Sequence, residues 1–501
     1  VDGPAPQLEE EEEEREPEVR VYLPGQQLQE GEELVHDASA YHMLHSMSSR
    51  WPCLSFDIVV DKLGDDRSTV RFPRGAAWRG RGSRFPRTEG YRERGDARDV
   101  VTLTNGIYRR VPLFLPPVQY PHTVYAVAGT QADSPEKNEV YVMKMSQLNR
   151  TARDAGEDSD SEDDDGGLDD DPILEHRVIP HRGGVSRVRL AKDASSCLMH
   201  AATWADTGKV HIWDISSQLA ALDVPGAVVP HDATKPVYTV ENHGDVEGFA
   251  MDWSDVATGR LLTGDVSGRI FLTTRTQTGY TTSPDAFTSH TSSVEDIQFS
   301  PVEKTVFASC SADGTVRVWD TRVANRKAVL GINAHESDVN VISWNRLTSF
   351  LLASGSDGGE ISVWDMRKFS AGFLLGADSD CTAHDAVFRP LVNPAPVASF
   401  LWHNAPVTSI EWSPFESSVL AAAGADDQVS IWDLSVEADV EEEGAVAMNT
   451  GDGAKLEVPP QLLFIHQGQR NIKELHWHRC IRGVVLTTAA SGFNVFKPIN
   501  F

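Results

Sequence analysis

His290, Ser311-Ala312-Asp313-Gly314 and Trp319-Asp320, followed by His335, Ser356-Asp357-Gly358-Gly359 and Trp364-Asp365, write one pattern twice within residues 287–365. In each copy the His stands 29 residues before the Trp, and the two Trp-Asp pairs lie 45 apart. A period of that size closing on Trp-Asp marks a four-stranded propeller blade. Val316 and Val318 alternate with Arg317 and Trp319, as a strand with two unlike faces requires. Asp313-Gly314 between two such runs is a hairpin turn, since glycine takes positive φ at no steric cost. The His, a strand Ser, the turn Asp and the Trp indole form a set that hydrogen bonds can link. That makes these polar residues structural rather than catalytic.

Outward from this pair the signature returns in varied form. Blade six keeps His403, Asp426 and Trp432-Asp433, again with 29 residues from His to Trp. Blade two ends at Trp213-Asp214 after the turn Asp206-Thr207-Gly208. Blade three keeps His243 and Asp265 but closes on Leu272-Thr273-Thr274. Val124–Ala128 and Glu139–Met145 read as two strands of blade one, and Leu462–Phe496 as blade seven, where Gly492-Phe493-Asn494-Val495-Phe496 replaces the Trp-Asp strand. The expected fold is all-β: a seven-bladed WD40 β-propeller over 120–501. Ahead of it, Asp37–Met47 reads as a helix, with Asp37 as N-cap and Tyr41, Leu44 and Met47 at helical spacing before Trp51-Pro52. Leu54, Phe56 and Ile58 alternate as a strand. Residues 37–60 are therefore expected to close the ring, with that strand completing the last blade.

Several stretches fit no blade. Residues 1–36 carry Glu9–Glu14, Glu16 and Glu18, a self-repelling run expected to form a disordered acidic tail. Residues 61–119 form an Arg/Gly/Pro-rich insertion; its 71–110 segment holds eleven Arg, no Lys and four acidic residues without periodicity, and a disordered loop is expected. Acidic disordered loops are expected at 151–172, where Glu157–Asp171 has ten Asp or Glu, and at 437–458, which contains Glu441, Glu442 and Glu443 and leads to Pro459-Pro460. Ser159 and Ser161, inside the first loop, suit an acidophilic kinase.

Charge and motifs narrow the function. A net charge of -29 over 501 residues argues against nucleic-acid binding by the propeller and for a basic protein partner. Five scattered cysteines without a Cys-x-x-Cys point to a reducing compartment. No apolar run approaches a membrane span, so no membrane role is expected. The chain opens on Val1, so native residues are expected before it. No phosphate-cradling loop, nucleophile elbow or His-Glu-x-x-His occurs, and the expectation is no enzyme, no cofactor and no metal. His476, His478 and Cys480 would share one strand face, yet they align with the ordinary blade strand Ile410-Glu411-Trp412, so a structural role is expected. What remains is a binding surface. Glu247, Glu295, Asp296 and Asn340 each follow a blade's His, where carboxylates converging on the channel would attract Lys and Arg.

Three stretches carry a family resemblance over nearly all the chain except 61–119. Ser48-Ser49-Arg50-Trp51-Pro52-Cys53-Leu54-Ser55-Phe56, Gly129-Thr130-Gln131 with Asn138-Glu139-Val140-Tyr141, and Pro459-Pro460-Gln461-Leu462-Leu463-Phe464-Ile465-His466 resemble the histone-binding WD-repeat family. The Glu run and Val142-Met143-Lys144-Met145-Ser146 are most similar to its ribosome-assembly chaperone branch. The resemblance implies a monomeric chaperone of universal large-subunit ribosomal protein 3, delivering it to pre-60S ribosomal particles in the nucleus and nucleolus, with some protein in the cytoplasm. The alternative it implies is a histone H3/H4 chaperone of chromatin assembly. It also implies a second client pocket, with Tyr41, Leu44 and Met47 facing Glu441, Glu442, Glu443, Pro459 and Pro460. Pro406 stands where the histone-tail site of the relatives would carry an acid, which favours the ribosomal client.

Overall fold

Seven antiparallel sheets, each of four strands or more, are laid out in the chain order that a propeller requires. They are seen in a computed structural model that describes residues 37–60, 99–104, 107–112, 120–151, 171–191, 199–369, 394–436, 447–449 and 455–501. The first strands of the blades are Cys53–Ile58, Val185–Leu190, Gly248–Trp253, Val294–Phe299, Val339–Trp344, Val407–Trp412 and Ile472–Trp477. Each touches the first strands of both neighbouring blades, and the last touches the first, so together they line a closed central channel.

Seven buried apolar clusters hold the ring, and each is shared by two consecutive blades. Between blades three and four, for example, Leu262 and Ile270 meet Ile297, Phe307 and Trp319. The stabilising apolar area is thus distributed over seven interfaces, and no blade has a core without its neighbours.

The polar set expected in each repeat is present. In blade four His290 Nδ1 lies 3.0 Å from Asp313 and its Nε2 2.7 Å from Ser309 Oγ, to which Trp319 Nε1 donates at 2.8 Å. Gly314 has φ +75°, and a Cβ there would stand 2.9 Å from the His335 carbonyl, so this turn requires glycine. Blade six builds the set differently: Ser430, on the same strand as Trp432, serves both His403 and the indole. Blade two uses Thr203 for His181 and Trp213.

Ring closure differs from the expectation. The helix predicted at Asp37–Met47 is a short 3-10 turn at Ala38–Ala40 followed by a strand, Tyr41–Met47, paired antiparallel with Gly492–Pro498. That strand is the outermost of blade seven, and Cys53–Ile58, expected to complete the last blade, is the innermost of blade one. The residues that fit a helix also alternate: Tyr41, Met43 and Met47 are buried, while Ser46 is exposed. The unpaired edge of Gly492–Pro498 offers a ladder of backbone partners, and tertiary context overrides a weak local signal.

Two insertions expected to lack structure carry hairpins. Asp99–Thr104 pairs with Ile107–Pro112, and Ala447–Asn449 pairs with Lys455–Glu457. In the first, a β-branched run flanks Asn105-Gly106, a strong two-residue hairpin signal that the arginine-rich composition obscured. The remainder of 1–36, 61–119 and the acidic loops lies outside the described residues.

Candidate functional site

In every blade the pairing of the first two strands slips at the same place: Cys53/Ser55, Val185/Arg187, Gly248/Ala250, Val294/Asp296, Val339/Val341, Val407/Ser409 and Ile472/Glu474. A bulge releases one residue from the ladder and re-aims its side chain. The released residues are Leu54, Ser186, Phe249, Glu295, Asn340, Thr408 and Lys473, all half-buried. Because the first strands line the channel, these side chains ring one of its mouths. Sequence reading singled out Glu295 and Asn340 but missed the other five. The signal was available, since each follows its blade's first-strand entry at one offset.

The mouth is mixed in charge rather than uniformly acidic. Glu295 stands on one side with Glu247 exposed beside it, and Lys473 stands in blade seven. Burial pushes the Glu295 carboxyl above its usual range, against the pull of Ser293 and Arg187. Asn340 donates toward Asp357 at 3.5 Å and the Val407 carbonyl at 3.4 Å. Asp296, expected at this surface, is instead 4 % exposed. Its oxygens accept from the N–H groups of Ile297 at 2.9 Å and Ile342 at 3.2 Å, the latter in the next blade. It is an internal staple.

Below the mouth a cation closes the channel. Arg187 donates from Nε to the Phe249 carbonyl at 2.6 Å and from a terminal nitrogen to Glu474 at 3.0 Å. Deeper still, side chains of one blade accept from backbone N–H groups of the next. Asp57 takes Leu190 N at 2.8 Å, Asp252 takes Phe299 N at 2.7 Å, and Gln298 takes Trp344 N at 2.8 Å. Glu411 takes Trp477 N at 2.9 Å. These buried acids satisfy donors that would otherwise be orphaned, so the acids open to a client are those of the rim.

The second expected pocket is largely internal. Tyr41 is buried, its hydroxyl 2.8 Å from His466 Nδ1, and Met47 belongs to the cluster between blades seven and one. Leu44 remains half-exposed. Pro459 is half-buried, its carbonyl accepting from Leu462 N at 3.0 Å, and Pro460 is exposed. Glu441, Glu442, Glu443, Ser159 and Ser161 lie outside the described residues. The strand at Ile472 ends at Trp477, so His476, His478 and Cys480 do not share a strand face. His478 Nδ1 accepts from the N–H groups of Cys480 and Ile481 and closes a turn.

Comparison with known proteins sets this geometry in a family. Residues 31–149 match the model that describes histone-binding protein RBBP4, a component of the CAF1 complex, and residues 282–320, 326–365 and 394–433 match the WD domain, G-beta repeat. The chain is 42% identical over 495 residues to ribosome assembly protein rrb1 of Schizosaccharomyces pombe, covering 98% of this chain and 87% of the relative. It belongs to that family. Glutamate-rich WD repeat-containing protein 1 of Dictyostelium discoideum is a further relative, 39% identical over 486 residues, 94% of this chain and 83% of its own. Histone acetyltransferase type B subunit 2 of Aspergillus oryzae is 30% identical over only 150 residues, 29% of this chain and 32% of its own. The family's likeness thus runs the length of the propeller, whereas that histone-enzyme subunit shares a part.

Proposed function

We propose that this protein is a non-catalytic ribosome-assembly chaperone that captures a basic protein of the large subunit, universal large-subunit ribosomal protein 3. The observation that carries the reading is the full-length likeness to ribosome assembly protein rrb1. The surface fits such a client: the body is strongly acidic, and the channel mouth offers Glu247, Glu295 and Asn340 around a floor plugged by Arg187. Capture would hold Lys- and Arg-rich segments that ribosomal RNA later neutralises, so binding weakens as salt rises. Delivery to nucleolar pre-60S particles would take the protein into the nucleus for part of its cycle.

A second reading, a histone H3/H4 chaperone, is favoured by the match of residues 31–149 to a histone-binding family model. The test is a competition. The full chain is immobilised and offered ribosomal protein 3 and H3–H4 together at about 0.15 M salt. Selective retention of the ribosomal protein supports the proposal; equal or preferred retention of histones overturns it.

A further inference from the structure

Blade five departs from the pattern that its neighbours keep. In blades three, four and six the turn aspartate holds the buried histidine: Asp265 on His243 at 2.8 Å, Asp313 on His290 at 3.0 Å and Asp426 on His403 at 2.9 Å. In blade five Glu360 takes that place, 3.2 Å from His335 Nδ1, and its other oxygen accepts from the Ser362 and Ser399 hydroxyls. The turn residue Asp357 is thereby left at the surface, beside Asn340 of the channel mouth. Gly358 leaves the spot open, since a Cβ there would meet nothing closer than the Ser337 hydroxyl at 3.4 Å.

The result is a groove between blades four and five of about 930 Å³, within the range of ligand clefts. Asp313, Glu336, Asp338 and Glu360 are among its lining residues, and no Lys or Arg is. Burial holds His335 below its usual pKa, so it adds no positive charge. Leu401, 81% exposed, stands on the outer strand directly opposite Glu360. Acids beside one bare leucine complement an extended basic segment, in which Lys or Arg and apolar residues reach different sides of the groove.

The geometry points to this groove as the docking track for an extended Lys/Arg-rich segment of a protein client, with cations over Glu336, Asp338 and Asp357 and an apolar side chain against Leu401. The assignment of the client rests on the chaperone reading above. Asn340 joins the groove to the channel mouth, so one segment can run from the mouth outward between the two blades.

The test titrates the full chain with two fluorescent probes at about 0.15 M salt: ribosomal protein 3, and a synthetic peptide of alternating lysine and leucine. The double variant Glu336→Lys/Asp338→Lys is expected to weaken both by about tenfold or more, and Leu401→Asp by about fivefold. Leu401→Asp decides alone if the double variant fails to fold. Wild-type binding of the ribosomal protein that these variants leave unchanged overturns the groove and spares the chaperone reading. Failure of the wild type to bind the ribosomal protein overturns the chaperone reading, and the groove is then judged by the peptide. Peptide affinity that the variants lower upholds it; peptide affinity that they leave unchanged, or no peptide binding at all, overturns it.

Discussion

Glu474 of the last blade holds Arg187 of the second at 3.0 Å, across 287 residues of chain. The same carboxylate is 1% exposed and accepts from the Ser55 hydroxyl at 2.7 Å and Phe56 N at 2.8 Å in blade one. It also pairs with Arg189 at 2.8 Å. One side chain therefore spans blades seven, one and two, on the channel side of the junction that Tyr41–Met47 closes from outside.

Removing one partner of a buried ion pair leaves the other charge uncompensated, at a cost of about 3–5 kcal/mol. Glu474→Ala is expected to lose stability on that scale in urea unfolding. Glu474→Gln, which keeps an acceptor for Ser55 or Phe56, should lose less. A Glu474→Ala variant as stable as an exposed Glu→Ala control would refute the latch.

The latch has a pH window. Burial opposes the Glu474 charge, but Arg189, His476 and Arg187 together hold its pKa well below the ordinary 4.5. Its contribution is present above pH 4.5 and is lost as pH falls through the folded value. Burial likewise opposes the charge on His476, yet Glu411 and then Glu474 raise its pKa from 6.5 to about 9. That contribution is complete below pH 6.5 and fades as pH rises toward 9. Thermal melting of wild type and His476→Gln should therefore differ more at about pH 6 than at about pH 9.5. A gap that stays constant or widens across that interval contradicts the assignment of His476 as a cation.

Ser309 accepts from Trp319 Nε1 and lies 2.7 Å from His290 Nε2, all three side chains being buried. Ser309→Ala leaves these groups without their partner, at about 1–3 kcal/mol for each unsatisfied group. Ser309→Thr should be tolerated, since Thr203 serves His181 and Trp213 in blade two. Chemical denaturation of the two variants checks both statements, and equal losses would show that the methyl, not the hydroxyl, decides.

The propeller was legible because its physics is local and repeated: a His, a glycine turn and a Trp at fixed spacing mark a blade even when one member is changed. Blade three shows this, keeping His243 and Asp265 without a Trp-Asp strand. Closure was not legible, because Tyr41–Met47 takes its structure from a partner at the other end of the chain. Within the site, Glu295 and Asn340 could be found by their offset from a histidine. Asp296 could not be told from them, since a bulge decides which of two adjacent acids turns outward. The substitution of Glu360 for Asp357 in blade five was equally hidden, as both stand in the same turn and only distance separates their roles.

Asp296 and Glu247 now separate stability from binding. Asp296 is buried and joins blades four and five through Ile342 N, whereas Glu247 is exposed at the mouth. Burial pushes the Asp296 carboxyl up, and Arg187 and Arg189 pull it back, so its charge belongs to the channel and not to a client. Asp296→Ala should cost about 1–3 kcal/mol by leaving a buried N–H unsatisfied. Client affinity, measured where the variant is folded, should change less than about threefold, a shift of roughly 0.7 kcal/mol. Glu247→Lys should do the reverse, leaving stability within about 0.5 kcal/mol and weakening a basic client with a steeper loss at low salt than at high. Urea unfolding and a salt series of client titrations give the four numbers. A strong affinity loss in folded Asp296→Ala with none in Glu247→Lys would move the binding site from the rim into the channel.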